Sequence, residues 1–161
     1  MLSNICSCGY SLSSGLKGAL KEKRIRLNTA KNFTKEYGIE LELIKRLSKR
    51  FLLSGVRLYD REDRTEYEIN VVIKNVTNTP LSYRQGINVA YIYEYEYSIT
   101  TEIDLIDADS IKSIKRFAYT ENFIYFSADS PATTEANKRV AITKVLDKIA
   151  DRFVRELSLG I

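Results

Sequence analysis

The sequence predicts an α+β fold: a two-layer sandwich with two helices packed on one face of a mostly antiparallel sheet. Two segments have apolar residues at three- and four-residue spacings, and a long stretch between them alternates apolar and polar at period two. The resulting order of strand, helix, several strands and a long helix is that of an α+β domain.

Taken in order, residues 1–22 are Ser- and Gly-rich without a clear period and read as an N-terminal tether, followed by one domain over 23–161. Residues 23–29 alternate around Ile25 and Leu27 and predict a short strand, with a loop over 28–35. Over 35–53, Ile39, Leu43, Ile44, Leu47 and Phe51 fall on one face of a helix, and Ser54-Gly55 supplies its stop. Residues 56–59 leave as a short strand. Tyr67, Ile69, Val71 and Ile73 are the buried side of the next strand, and Thr77-Asn78-Thr79-Pro80 reads as a turn, with a second possible turn at Arg84-Gln85-Gly86.

The most regular segment follows. Ile87, Val89, Tyr91, Tyr93, Tyr95, Tyr97, Ile99, Thr101, Ile103 and Leu105 alternate with a row that includes Glu94, Glu96, Thr100, Glu102 and Asp104. A strand this long exceeds the usual five or six residues and is expected to project from a small sheet or bend along it. Past the turn at 107–110, residues 111–126 predict its partner strand, with an irregularity near Glu121 and Asn122. Ser130-Pro131 opens a long helix whose stripe is Ile142, Val145, Leu146, Ile149, Phe153 and Leu157, closed by Gly160.

Composition narrows the chemistry. The chain contains no histidine, which removes Ser-His and Cys-His nucleophile activation and every imidazole metal ligand. Cys6 and Cys8 are the only cysteines and cannot complete a four-ligand zinc site by themselves, so neither metal nor cofactor is expected. There is no phosphate-binding glycine loop and no acid pair in a context that suggests catalysis, so the expected protein is not an enzyme. No apolar run is long enough for a membrane-spanning helix. A net charge of +4 favours acidic partners. The local basic run of Lys17, Lys21, Lys23, Arg24, Arg26 and Lys31 faces only Glu22, although such runs are usually just solvated.

Cys8-Gly9-Tyr10-Ser11-Leu12, with a small residue before Cys8 and an aliphatic residue three before it, where Cys6 follows the bulky Ile5, resembles the mature start of the LptE family of lipopolysaccharide-assembly lipoproteins. The helix ending Leu53-Ser54-Gly55-Val56-Arg57-Leu58 resembles the first helix and its exit. Tyr83-Arg84-Gln85-Gly86 ahead of a Tyr-rich strand resembles the central hairpin, and residues 147–157 resemble the C-terminal helix. The likeness implies a non-enzymatic lipoprotein anchored by acyl chains, palmitate among them, on the periplasmic face of the outer membrane. It further implies a plug and partner of the LptD β-barrel that binds lipopolysaccharide. By position it implies Cys8 as the lipidated residue and Arg84 as the basic residue of the hairpin. Thr133 and Thr134 stand where some members carry a second basic residue.

The residues also support this reading directly. Tyrosine buries area while keeping a hydroxyl, so Tyr91 and Tyr93, with Glu94, Glu96 and Thr100 on the other side, would suit a wet barrel lumen. The plainer alternative is that the tyrosines cover a helix-packed sheet and that Arg84 is a solvated turn residue. Two other functions are compatible with parts of the sequence: a different small envelope lipoprotein serving a lipid transporter, and an α+β nucleic-acid-binding module. The acidic row opposes the second, because it would repel phosphate, and no nucleic-acid partner is expected.

Overall fold

The computed structural model describes residues 23–60, 65–85 and 90–159, with the side chains of Ala90 and Tyr91 excepted. Five strands and two helices form the predicted α+β sandwich. The sheet runs β1 (Ile25–Leu27), β3 (Tyr67–Gln85), β4 (Ala90–Asp107), β5 (Lys112–Phe126), and β2 (Lys31–Asn32) also pairs with β3. β1 and β2 lie parallel to β3, whereas β3, β4 and β5 form an antiparallel meander. Helices α1 (Ile39–Leu53) and α2 (Pro131–Leu159) cover one face.

The core follows the two periodicities. Leu43, Leu47 and Phe51 of α1 and Val145, Leu146, Ile149 and Phe153 of α2 are buried against Ile69, Val71 and Ile73 of β3. Tyr97, Ile99, Ile103 and Leu105 of β4 complete the layer, so the odd-numbered side of the long strand faces the helices. The helices run parallel, tied by Lys138 to Glu36 at 2.8 Å, Arg46 to Asp147 at 2.7 Å, and Arg50 to Asp151.

Five local expectations are corrected. The segment 28–35 is not all loop, because Lys31 and Asn32 pair with Val72 and Ile73 as β2. Helix α1 begins at Ile39 rather than at 35, since Gly38 at its start has φ 89°, a left-handed conformation that glycine adopts without a Cβ penalty. The Gly38 N–H donates to the Glu40 carboxylate, and the Asn32 amide donates to Glu40 Oε2 at 2.8 Å, so a hydrogen-bonded turn replaces the expected first helical turn. Instead of a strand at 56–59 there is one parallel bridge, Ile25 to Leu58.

The largest correction is in β3. Thr77-Asn78-Thr79-Pro80 is strand, paired with Ser98, Tyr97, Glu96 and Tyr95. A bulge between Ile73 and Asn75 shifts which residues face the helices, so Val76, Asn78 and Pro80 share the side of Ile99, Tyr97 and Tyr95. The β-branched threonines favour the extended form, and Pro80 lies on a part of the strand that neither β1 nor β2 covers, an edge position where proline is tolerated. Last, β5 is regular through Glu121 and Asn122, and its irregularity lies at the other end, between Leu105 and Ile106 of β4.

Candidate functional site

The far halves of β3, β4 and β5 run past the core together with the start of α2. Lys74 and Asn75 and residues 77–81 of β3 are exposed, and so are most of residues 131–140 of α2. Between these projecting parts lies an open groove of about 670 Å³. Ile92, Tyr93 and Tyr95 of β4 line it, with Arg84 from the end of β3 and, opposite, Ala128, Asp129, Pro131, Thr134 and Glu135.

Local hydrogen bonds fix that opposite wall. Ser127 N–H donates to the Tyr93 carbonyl at 2.9 Å, prolonging the β4–β5 pairing by one residue. Thr134 Oγ1 accepts the Ala128 N–H at 2.9 Å, Thr134 N–H donates to the Ser130 carbonyl at 3.0 Å, and the Asn137 amide donates to the Phe126 carbonyl at 2.9 Å. The first turns of α2 are thereby held to the end of β5. On the sheet side, Tyr95 stacks on Tyr125 with ring centres 5.2 Å apart, and the Tyr125 hydroxyl and the Asn78 amide bond to each other.

Among the described residues Arg84 carries the only cation that lines the groove, and its guanidinium sits 5.8 Å from the centre of the Tyr93 ring. A cation over an aromatic face is held in place while its N–H groups stay available. Among the described residues no carboxylate forms an ion pair with Arg84, although Asp129 and Glu135 line the same groove. Chemically, the arrangement offers one positioned guanidinium, aromatic walls and hydroxyls, a set suited to holding an anionic, partly apolar molecule.

The structure separates the residues singled out from the sequence. Arg84 and Tyr93 come together at the groove. Tyr91 stands opposite Arg84 in the β3–β4 register, and its side chain lies outside the described residues. Glu94, Glu96 and Thr100 are on the other face, which no described helix covers. There Glu96 accepts from the Asn122 amide at 2.7 Å, and the Thr100 and Thr120 hydroxyls bond at 3.1 Å. Farther along the same face, Lys74 pairs with Glu102 and Arg116 with Asp104. Tyrosines and acids therefore lie on opposite sides of β4, as the alternation required. Cys8 lies outside the described residues.

Sequence reasoning missed Tyr95, Thr134 and the loop at 127–129 as parts of one site. One signal was present: the apolar stripe of the last helix starts only at Ile142, three turns after Pro131, so those first turns had no core to cover.

Comparison with known proteins gives the same architecture. The rare lipoprotein B of Shewanella oneidensis superposes with a TM-score of 0.61 at 16% identity, over 84% of this chain and 94% of that one. Protein XCC0632 of Xanthomonas campestris gives 0.61 at 11% identity, over 85% and 84%. The uncharacterized lipoprotein B of Nitrosomonas europaea gives 0.55 at 17% identity, over 84% and 82%. At these identities the likeness establishes the fold alone. No curated protein matches the sequence. The family described as LptE, lipopolysaccharide-assembly, matches residues 22–157, from just before β1 to the last turn of α2. The chain belongs to the LptE family of lipopolysaccharide-assembly lipoproteins.

Proposed function

We propose that this protein assists lipopolysaccharide assembly without catalysing a reaction, as a lipoprotein anchored through Cys8 on the periplasmic face of the outer membrane and docked in the LptD β-barrel. The observation that carries the ligand part is the exposed Arg84 guanidinium, held over Tyr93 at a groove with aromatic walls. A planar guanidinium suits phosphate because two of its N–H groups reach two oxygens at once. Support for the docking part comes from the uncovered face of β4, whose carboxylates and hydroxyls match a polar, hydrated lumen better than a dry interface.

Titration of lipopolysaccharide onto wild type and Arg84→Ala tests the ligand part. A hydrogen bond to a charged group is worth about 1.5–3 kcal/mol, so affinity should fall about tenfold or more, with Arg84→Lys in between. Equal affinities would remove Arg84 from the site. For the anchor, intact-mass analysis of membrane-extracted protein should find acyl chains on wild type and none on Cys8→Ser, whereas an acylated Cys8→Ser protein would refute the assignment.

A further inference from the structure

The charges that line the Arg84 groove do not suit a simple anion. Arg84 is the one cation among the described lining residues, and two carboxylates, Asp129 and Glu135, line the same groove. The connection from β3 to β4, Gly86-Ile87-Asn88-Val89, contributes no charge. The N-terminus of α2, at Pro131, adds about half a positive charge, which still leaves the carboxylates in excess.

The fold brings these two acids to one wall. Asp129 is in the loop after β5 and Glu135 in the second turn of α2, and the Ala128 N–H that donates to Thr134 Oγ1 at 2.9 Å ties together the residues beside them. Both acids are exposed, and no cation pairs with Asp129 among the described residues. Glu135 meets Arg139, one turn farther along α2, at 3.6 Å, an exposed helix pair of the kind that contributes little. Neither carboxylate pairs with Arg84, so positive and negative groups stand apart in the groove.

A ligand offering only phosphate would gain from Arg84 and be repelled by both acids. One that carries an ammonium close to its phosphate would meet opposite charge on each wall. Aromatic rings in the groove, those of Tyr93 and Tyr95, also favour a cation over a bare anion. Resting on the reading of this groove as the lipopolysaccharide site, we propose that it selects lipopolysaccharide whose phosphate carries an amine substituent, such as a phosphoethanolamine group. Arg84 takes the phosphate, and Asp129 and Glu135 take the ammonium. Arg84 thus supplies affinity, and the two acids set specificity.

The test titrates two lipid A preparations onto the full chain, with a chelator present so that no divalent cation stands in for the amine. One preparation carries a phosphoethanolamine group, and the other is the same material with that amine acetylated, so the phosphates match and a single positive charge differs. Wild type should bind the amine form about fivefold or more tighter, given the usual worth of two exposed ion pairs. Asp129→Asn combined with Glu135→Gln, isosteric changes at exposed positions, should abolish the preference. Arg84→Ala should weaken both forms alike and keep their ratio. Equal affinity of wild type for the two forms, or a preference that survives in the double variant, would overturn the inference and leave the role of Arg84 intact. Affinities untouched by Arg84→Ala would instead remove the ligand reading of the groove, and this inference with it.

Discussion

Replacing Phe153 with alanine is expected to lower the unfolding free energy by about 3–5 kcal/mol, the range for truncating a buried aromatic. Phe153 is fully buried, and its ring meets two others edge to face: Phe51 of α1 at 6.0 Å and Phe117 of β5 at 5.2 Å. It therefore joins both helices to the sheet, and edge-to-face pairs contribute beyond the area they bury. Rigid elements on three sides leave little room for collapse, which places the cost toward the upper part of the range. Urea denaturation should show a lower midpoint with little change in slope. A loss below about 1 kcal/mol would contradict this account of the core. Because the Arg84 groove is at the far end of α2, folded Phe153→Ala protein should still bind lipopolysaccharide.

A second large effect is expected in alkali. Tyr97 and Tyr119 are buried in the core face of the sheet, and burial, first of all, pushes both phenols above the ordinary range. For Tyr97 the nearby negative charges of Glu36 and Glu135 act in the same sense, and for Tyr119 so does the hydrogen bond its hydroxyl donates to Glu156. The unfolded chain releases these protons near pH 10 while the folded chain retains them. Above that pH the unfolded state binds fewer protons, so stability falls as pH rises, by up to about 1.4 kcal/mol per pH unit for each phenol. The stability is fully present below about pH 10 and declines above it. Melting temperature measured against pH should bend downward there, with tyrosinate absorbance from these two residues appearing only on unfolding. The two phenols should also differ at neutral pH. The Tyr97 hydroxyl has no hydrogen-bond partner among the described residues, so Tyr97→Phe should cost little or stabilise, whereas Tyr119→Phe loses its bond to Glu156. A flat profile through pH 11 would contradict the assignment.

How far the fold could be read in advance depended on periodicity. Strand β4 alternates as read, with Tyr97, Ile99, Ile103 and Leu105 of its odd-numbered side in the core, and the stripes of both helices are buried where spacing placed them. Strand β3 became illegible at Lys74, because one bulge inverts the faces, and a polar stretch containing Pro80 then resembles a turn although the ladder continues. The start of α1 was obscured by a hydrogen-bonded turn that uses helix-compatible residues, and only the conformation of Gly38 distinguishes the two. The groove was least legible. Arg84, Tyr93 and Thr134 come from three separate elements, and no local pattern records that the ends of β3, β4 and α2 meet. Family resemblance singled out Arg84 from its position in the hairpin, while its placement over Tyr93 required the register of β3 on β4.

The two faces of β4 divide the proposed work, with an anionic ligand on the helix side and the barrel on the uncovered side. Site-specific photo-crosslinking in cells tests that claim most directly, with the crosslinker placed at Glu94, Glu96 or Thr100 on the uncovered face. The account predicts abundant adducts to a β-barrel outer-membrane protein from these positions, and adducts only to soluble proteins or to RNA would contradict it.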